Sequence, residues 1–169
     1  PKPLDVICQS PQIGVDGFIL PGHVSAIIGS EPYEFIADVH RKPGVIAGFE
    51  PEDVVDAIFR LVKMLTEGEP RIEVSYSRVV CRSGNEFAQR LIAIVFEPCD
   101  SVWRGIGLLP GSGLKIRDEF AEFDAQTRFD IPDFPSARDN PSCRCADVIL
   151  GLIRPTECPL FGKACTPHI

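Results

Sequence analysis

Basic charge is in short supply. Seventeen Lys and Arg stand against 24 Asp and Glu in 169 residues, a formal net charge of −7. That balance excludes a nucleic-acid partner, because phosphate contacts need clustered cationic side chains. Long apolar runs are also missing. None reaches the ~18 residues a membrane-spanning helix needs, so no membrane partner is expected. The opening "PKPLDVICQSPQ" has no apolar stretch and no small-residue cleavage site, so no signal peptide is expected. It has no initiating Met either, which reads as a processed chain or an excerpt from a longer one. Nucleotide fingerprints fail: "LLPGSGLK" lacks the G-x-x-x-x-G-K-[ST] spacing and sets Ile116 where a Mg²⁺-binding hydroxyl would stand. Gly111 and Gly113 therefore read as turn glycines. No G-x-S-x-G occurs, so a nucleophile elbow has no support.

What is present is a globular composition, 44% hydrophobic, in a chain long enough for one real core. "VDGFIL" (15–20) and "PGVIAGF" (43–49) are short, nearly continuous apolar runs, the pattern of buried strands. "PGHVSAIIGS" (21–30) reads as a loop. "EPYEFIADVHRK" (31–42) reads as a helix, with Ser30 as N-cap and Pro32 in its first turn. "EPEDVVDAIFRLVKMLTEGE" (50–69) is the clearest helix. Pro51 and the acidic residues suit its start, Gly68 suits its stop, and Val54, Ile58, Leu61, Val62 and Leu65 share one helical face. "RIEVSYSRVV" (71–80) alternates as a strand and "NEFAQRLIAIVF" (85–96) reads as a third helix. "SVWRGIGLLPGSGLKI" (101–116) adds short strands about a Gly-rich bend. The fold class expected is α/β: a parallel-sheet, three-layer, Rossmann-like domain over residues 1–125. Charge and proline rise afterwards, so residues 126–169 read as a covering arm and a cysteine-rich extension.

Two sets of residues carry chemistry. His23 and Ser25 follow the first strand, and Glu50 and Asp53 follow the second. In open α/β sheets, ligands bind outside the carboxyl ends of strands, so these four fit one crevice. They fit equally a capped helix and a satisfied histidine. The second set is the tail "CRCADVILGLIRPTECPLFGKAC". Seven cysteines leave one over in any closed disulfide framework. Cys8 and Cys99 read as small hydrophobes, as does Cys81 with less support from its polar neighbours. Cys143, Cys145, Cys158 and Cys165 are clustered, and clustered thiols in a reducing compartment point to metal or redox chemistry. Their spacing fits a four-thiolate zinc site, or half of an iron–sulfur site. The zinc alternative makes the chain a stand-alone protein-interaction domain. An α/β enzyme using His23 and Glu50 is the weakest reading, since no cofactor fingerprint accompanies them.

"VDGFILPGHVSAIIGSEPYEFIA", "GFEPEDVVDAI", "WRGIGLLPGSGLKIRDEFAEFDAQTRF" and "CRCADVILGLIRPTECPLFGKACTP" occur in this order. Together they closely resemble the HypD family of hydrogenase expression/formation proteins, from about residue 14 to residue 167. The resemblance implies a cytoplasmic iron–sulfur scaffold that helps assemble the Fe(CN)2CO unit of nickel–iron hydrogenases, holding its iron transiently. It implies two partners, a HypC-like small chaperone and a HypE-like cyanide donor. It implies that Cys158 and Cys165 are half of a [4Fe–4S] ligand set, with Cys143 and Cys145 less securely ligands. His23 and Glu50 would face a cleft toward an upstream domain. Family members are roughly twice this length, with an upstream cysteine-bearing domain and two further cysteines after "CTP". The chain as given is therefore expected to hold no intact cluster by itself.

Overall fold

The computed structural model describes residues 2–129, 131 and 140–166. The chain divides into two compact units, Pro1–Pro11 with Val15–Ile92, and Gln12–Gly14 with Ala93–Ile169.

The first unit is α/β. Strands β1 (Phe18–Pro21), β2 (Gly44–Ala47) and β3 (Ile72–Val74) form a parallel sheet in the order β1-β2-β3. Phe18 pairs with Gly44, and Gly44 with Ile72. All four residues of β2 are buried, as a central strand covered on both faces requires. Its alternation divides the core. Ile46 faces a cluster with Leu20, Tyr33, Ile36 and Val80, while Val45 and Ala47 face Ala57 and Met64. Ile36, Val45 and Ile46 are fully excluded from water, each worth about 1.5–3 kcal/mol of burial.

Helix α1 (Lys2–Gln9) lays Cys8 into the first cluster and ties down through Asp5, whose carboxylate lies 2.8 Å from His40 Nε2. Cys8 is thus a core hydrophobe, and burial pushes its thiol pKa up. Residues 21–30, expected as a loop, instead hold α2 (Gly22–Ile28), a short helix entered through extended Pro21. The helix expected over residues 31–42 is shorter. A 3-10 turn at Glu31–Tyr33 runs into α3 (Glu34–Asp38), and the Ser30 side chain makes no cap.

Helix α4 (Pro51–Glu67) has the limits that its punctuation predicts. Pro51 sits in its first turn, and the N–H of left-handed Gly68 donates to the Met64 carbonyl. Its packing face overlaps the expected one only at Leu61, which packs against Val45, Ala47, Ala57 and Met64. Asp53, Ala57 and Met64 are buried, while Val54, Ile58, Val62 and Leu65 are 37 to 55% exposed. The helix is apolar over an arc wider than one face. Small Ala57 lets its backbone approach β2, and that selects the face.

Helix α5 (Glu86–Val95) leads into the second unit. Strands β4 (Phe96–Trp103) and β5 (Gly107–Ile116) form a separate antiparallel hairpin and do not extend the parallel sheet. Only Arg104, Gly105 and Ile106 connect them, far fewer than the dozen or more residues a parallel crossover needs. The "PGS" run is an irregularity within this hairpin, where the Gly111 N–H donates to the Asp100 carboxylate at 2.8 Å. Short helices α6 (Ala125–Arg128) and α7 (Cys145–Ile149) and a 3-10 turn at Pro155–Glu157 follow. The covering arm expected from residue 126 lies largely outside the described residues. No described helix is long and apolar enough to cross a membrane.

Candidate functional site

The four tail cysteines come together. Cys143, Cys145, Cys158 and Cys165 line one cavity of about 230 Å³ with Arg104, Val148, Leu160 and Phe161. Three local features build it. Gly105, at φ 77, turns the β4–β5 hairpin, and a Cβ there would meet the Ala146 backbone at 3.1 Å. That close approach seats Arg104 beside the "CRC" segment, with its Nη2 3.8 Å from Cys143 Sγ. In the tail, the Cys165 N–H donates to the Leu160 carbonyl at 2.9 Å, and the Gly162 N–H to the Cys165 carbonyl at 3.0 Å. Gly162 takes a left-handed φ of 69 to close this coil, which returns Cys165 toward Cys158.

The electrostatics single out Cys158. The backbone N–H of Arg144, then that of Leu160, holds its thiol pKa below the ordinary range; the Phe161 N–H and the Arg144 charge add to this against partial desolvation. Such amide donors favour a thiolate, the form that ligates metals. All seven cysteines are free thiols. Among the described residues, no three His, Cys, Asp or Glu side chains converge as a metal-binding group.

The strand-end residues divide into two pairs. His23 and Glu50 are exposed, and the His23 ring lies 5.3 Å from that of Phe49, the neighbour of Glu50. Ser25 is fully buried and donates to the Pro21 carbonyl at 2.8 Å, one turn back. Asp53 is 6% exposed and accepts two hydrogen bonds of 2.6 Å from Arg78. Its pKa is lowered chiefly by those bonds. The Arg78 guanidinium also lies 4.4 Å over the Tyr76 ring. Ser25 and Asp53 are thus occupied with internal partners, and only His23 and Glu50 are presented to solvent.

Sequence reasoning assigns no role to Arg104 or Arg78. A buried carboxylate demands a cationic partner, and Arg78 stands on the next strand connection. Nothing in the sequence marks Arg104 as a neighbour of Cys143.

The sequence profile of HypD, described as "Hydrogenase formation hypA family", matches residues 1–169. The chain belongs to the HypD family. Among its relatives is "Hydrogenase maturation factor HypD" of Rhizobium leguminosarum bv. viciae, 45% identical over 174 residues that cover 99% of this chain and 45% of that protein. The HypD of Cupriavidus necator is 44% identical, over 99% of this chain and 46% of its own length. That of Escherichia coli K12 is 40% identical, over 96% of this chain and 43% of its own. The chain thus spans slightly less than half the length of these HypD relatives. The HypD-like motifs fall in both units, "PGHVS" and "GFEPED" in the first, "WRGIG" and the cysteine tail in the second.

Proposed function

We propose that this chain is part of a scaffold for assembling and transferring the Fe(CN)2CO centre in nickel–iron hydrogenase maturation. What supports this reading most is the gathering of four tail thiols around one cavity in a HypD-family chain. Cys158 and Cys165 are the proposed cluster ligands, with Cys143 and Cys145 beside them. The residues fit an iron–sulfur group in kind, since thiolates are its ligands and backbone amides already favour the Cys158 thiolate. They do not fit it in number, because no three of them converge as a ligand set among the described residues. In the whole protein such a group would supply electrons, and the iron of Fe(CN)2CO would be cargo. His23 and Glu50 are the proposed cleft-facing residues of the first unit. Ser25 and Asp53 support the backbone that carries them. A HypC-like chaperone and a HypE-like cyanide donor are the proposed partners, and the cytoplasm the proposed compartment.

The test is iron and sulfide analysis of the family-length protein carrying Cys158→Ser or Cys165→Ser, beside hydrogenase activity in cells complemented with each variant. Loss of both iron and complementation is the expected result. Retention of full iron by either variant removes that residue from the ligand set. One tightly held zinc and no iron in the unmodified protein would replace the reading with a zinc-stabilised interaction domain.

A further inference from the structure

Helix α4 carries an apolar seam that nothing else described in its own unit covers. Val55, Ile58, Val62 and Leu65 recur at intervals of three, four and three residues, and are 66, 47, 55 and 44% exposed. That spacing is the a/d repeat through which one helix packs along another, with β-branched Val at both a positions. Phe59, 67% exposed, lies beside the seam and widens it. The helix already meets its own sheet through Ala57 and Met64 on another face. The seam is therefore surplus to the fold of this unit. Contiguous apolar surface of this kind marks an interaction site.

The charge beside the seam selects its occupant. An open groove at the start of α4 is lined by Pro51, Glu52, Val55, Asp56 and Phe59. Glu52 stands one heptad before Phe59, at a flanking position where coiled coils place their inter-helix ion pairs. No ion pair among the described residues engages Glu52. The positive end of the helix dipole lies here, yet Glu50 and Glu52 leave the edge acidic. A second copy is a poor occupant. Each chain carries a net charge of −7, and two such chains repel.

We propose that this face of α4 docks an amphipathic helix of a partner protein, with Leu-type residues in the seam and Lys or Arg opposite Glu52. Recognition combines apolar packing along Val55–Leu65 with a charge pair at the acidic end. It is independent of the cysteine cavity, so its failure would leave the proposed function untouched.

A fluorescein-labelled helical peptide with Leu at its a and d positions and Lys at its e and g positions is a direct probe, titrated by anisotropy. Saturable binding is expected, weakened at least tenfold by Ile58→Glu. Glu52→Lys, a surface change that leaves the core alone, should weaken the Lys-flanked peptide and favour the same peptide with Glu flanks. Circular dichroism checks that each variant is folded. Binding that ignores both substitutions overturns the proposal. So does a dimer by light scattering that Ile58→Glu dissolves, which would make a second copy the occupant. Failure of the peptide to bind a family-length relative would overturn it too, because the seam would then be filled by the relative's own chain.

Discussion

Two substitutions on α4, six residues apart, should differ several-fold in their effect on stability. Met64 is 1% exposed and packs with Val45, Ala47 and Ala57. Truncating it to Ala removes buried atoms and leaves a void, a change of about 2–5 kcal/mol. Ile58 is 47% exposed. Full burial of such a side chain is worth about 1.5–3 kcal/mol, so half is at stake, and Ala regains a few tenths through helix propensity. Ile58→Ala should therefore remove no more than about 1 kcal/mol. In urea, with a slope of roughly 2 kcal/mol per molar, Met64→Ala should lower the midpoint by about 1–2.5 M and Ile58→Ala by less than about 0.5 M. Unfolding followed at 222 nm reports both, since α4 is the longest helix described. Equal losses at the two positions would refute the assigned packing face, and with it the exposed seam.

Asp53→Asn should flatten the acid side of the stability profile. Its folded pKa is depressed by Arg78, so the pair stabilises above the unfolded carboxylate range near pH 4 and that contribution is lost as pH falls through the folded pKa. Urea midpoints between pH 2 and 7 should therefore converge for the two proteins at the acid end, and parallel profiles would contradict the pairing. Limited iodoacetamide labelling at pH 7, read by peptide mass spectrometry, should modify Cys158 well before Cys8. The first thiol is held toward its anion and the second is raised by burial. Gly105→Ala should destabilise the second unit by about 1–3 kcal/mol, because a left-handed residue gains a Cβ pressed on Ala146. Fluorescence of the single Trp103, two residues away in the same hairpin, should report the loss, and an unchanged transition would contradict that contact.

Much of the first unit was legible because local signals and tertiary demands coincide there. The apolar runs ending at Leu20 and Phe49 became adjacent parallel strands, as continuous hydrophobic segments covered on both faces should. Pro51 and Gly68 bracket α4 because backbone geometry alone fixes both preferences. The buried face of α4 was not legible, since periodicity counts apolar residues and cannot tell a core face from a docking face. Ala57, the weakest hydrophobe on the helix, marks the contact with the sheet. The hairpin at residues 96–116 was legible in part: short strands about a Gly-rich bend are expected over 101–116, but β4 begins at Phe96, which the apolar pattern assigns to the preceding helix. In the tail, clustering in sequence pointed to Cys143, Cys145, Cys158 and Cys165, and they do share a cavity. Arg104 lies 39 residues from Cys143, and only folding brings them together.

That the tail thiols act as iron–sulfur ligands is the claim on which the proposed function depends most. Its most direct test is iron, sulfide and zinc content of this chain after anaerobic reconstitution and desalting, beside the Cys158→Ser, Cys165→Ser double variant. A half ligand set predicts iron that depends on both cysteines yet stays short of the four irons and four sulfides of a cubane. Iron uptake unchanged in the double variant, or one zinc per chain and no iron, would contradict it.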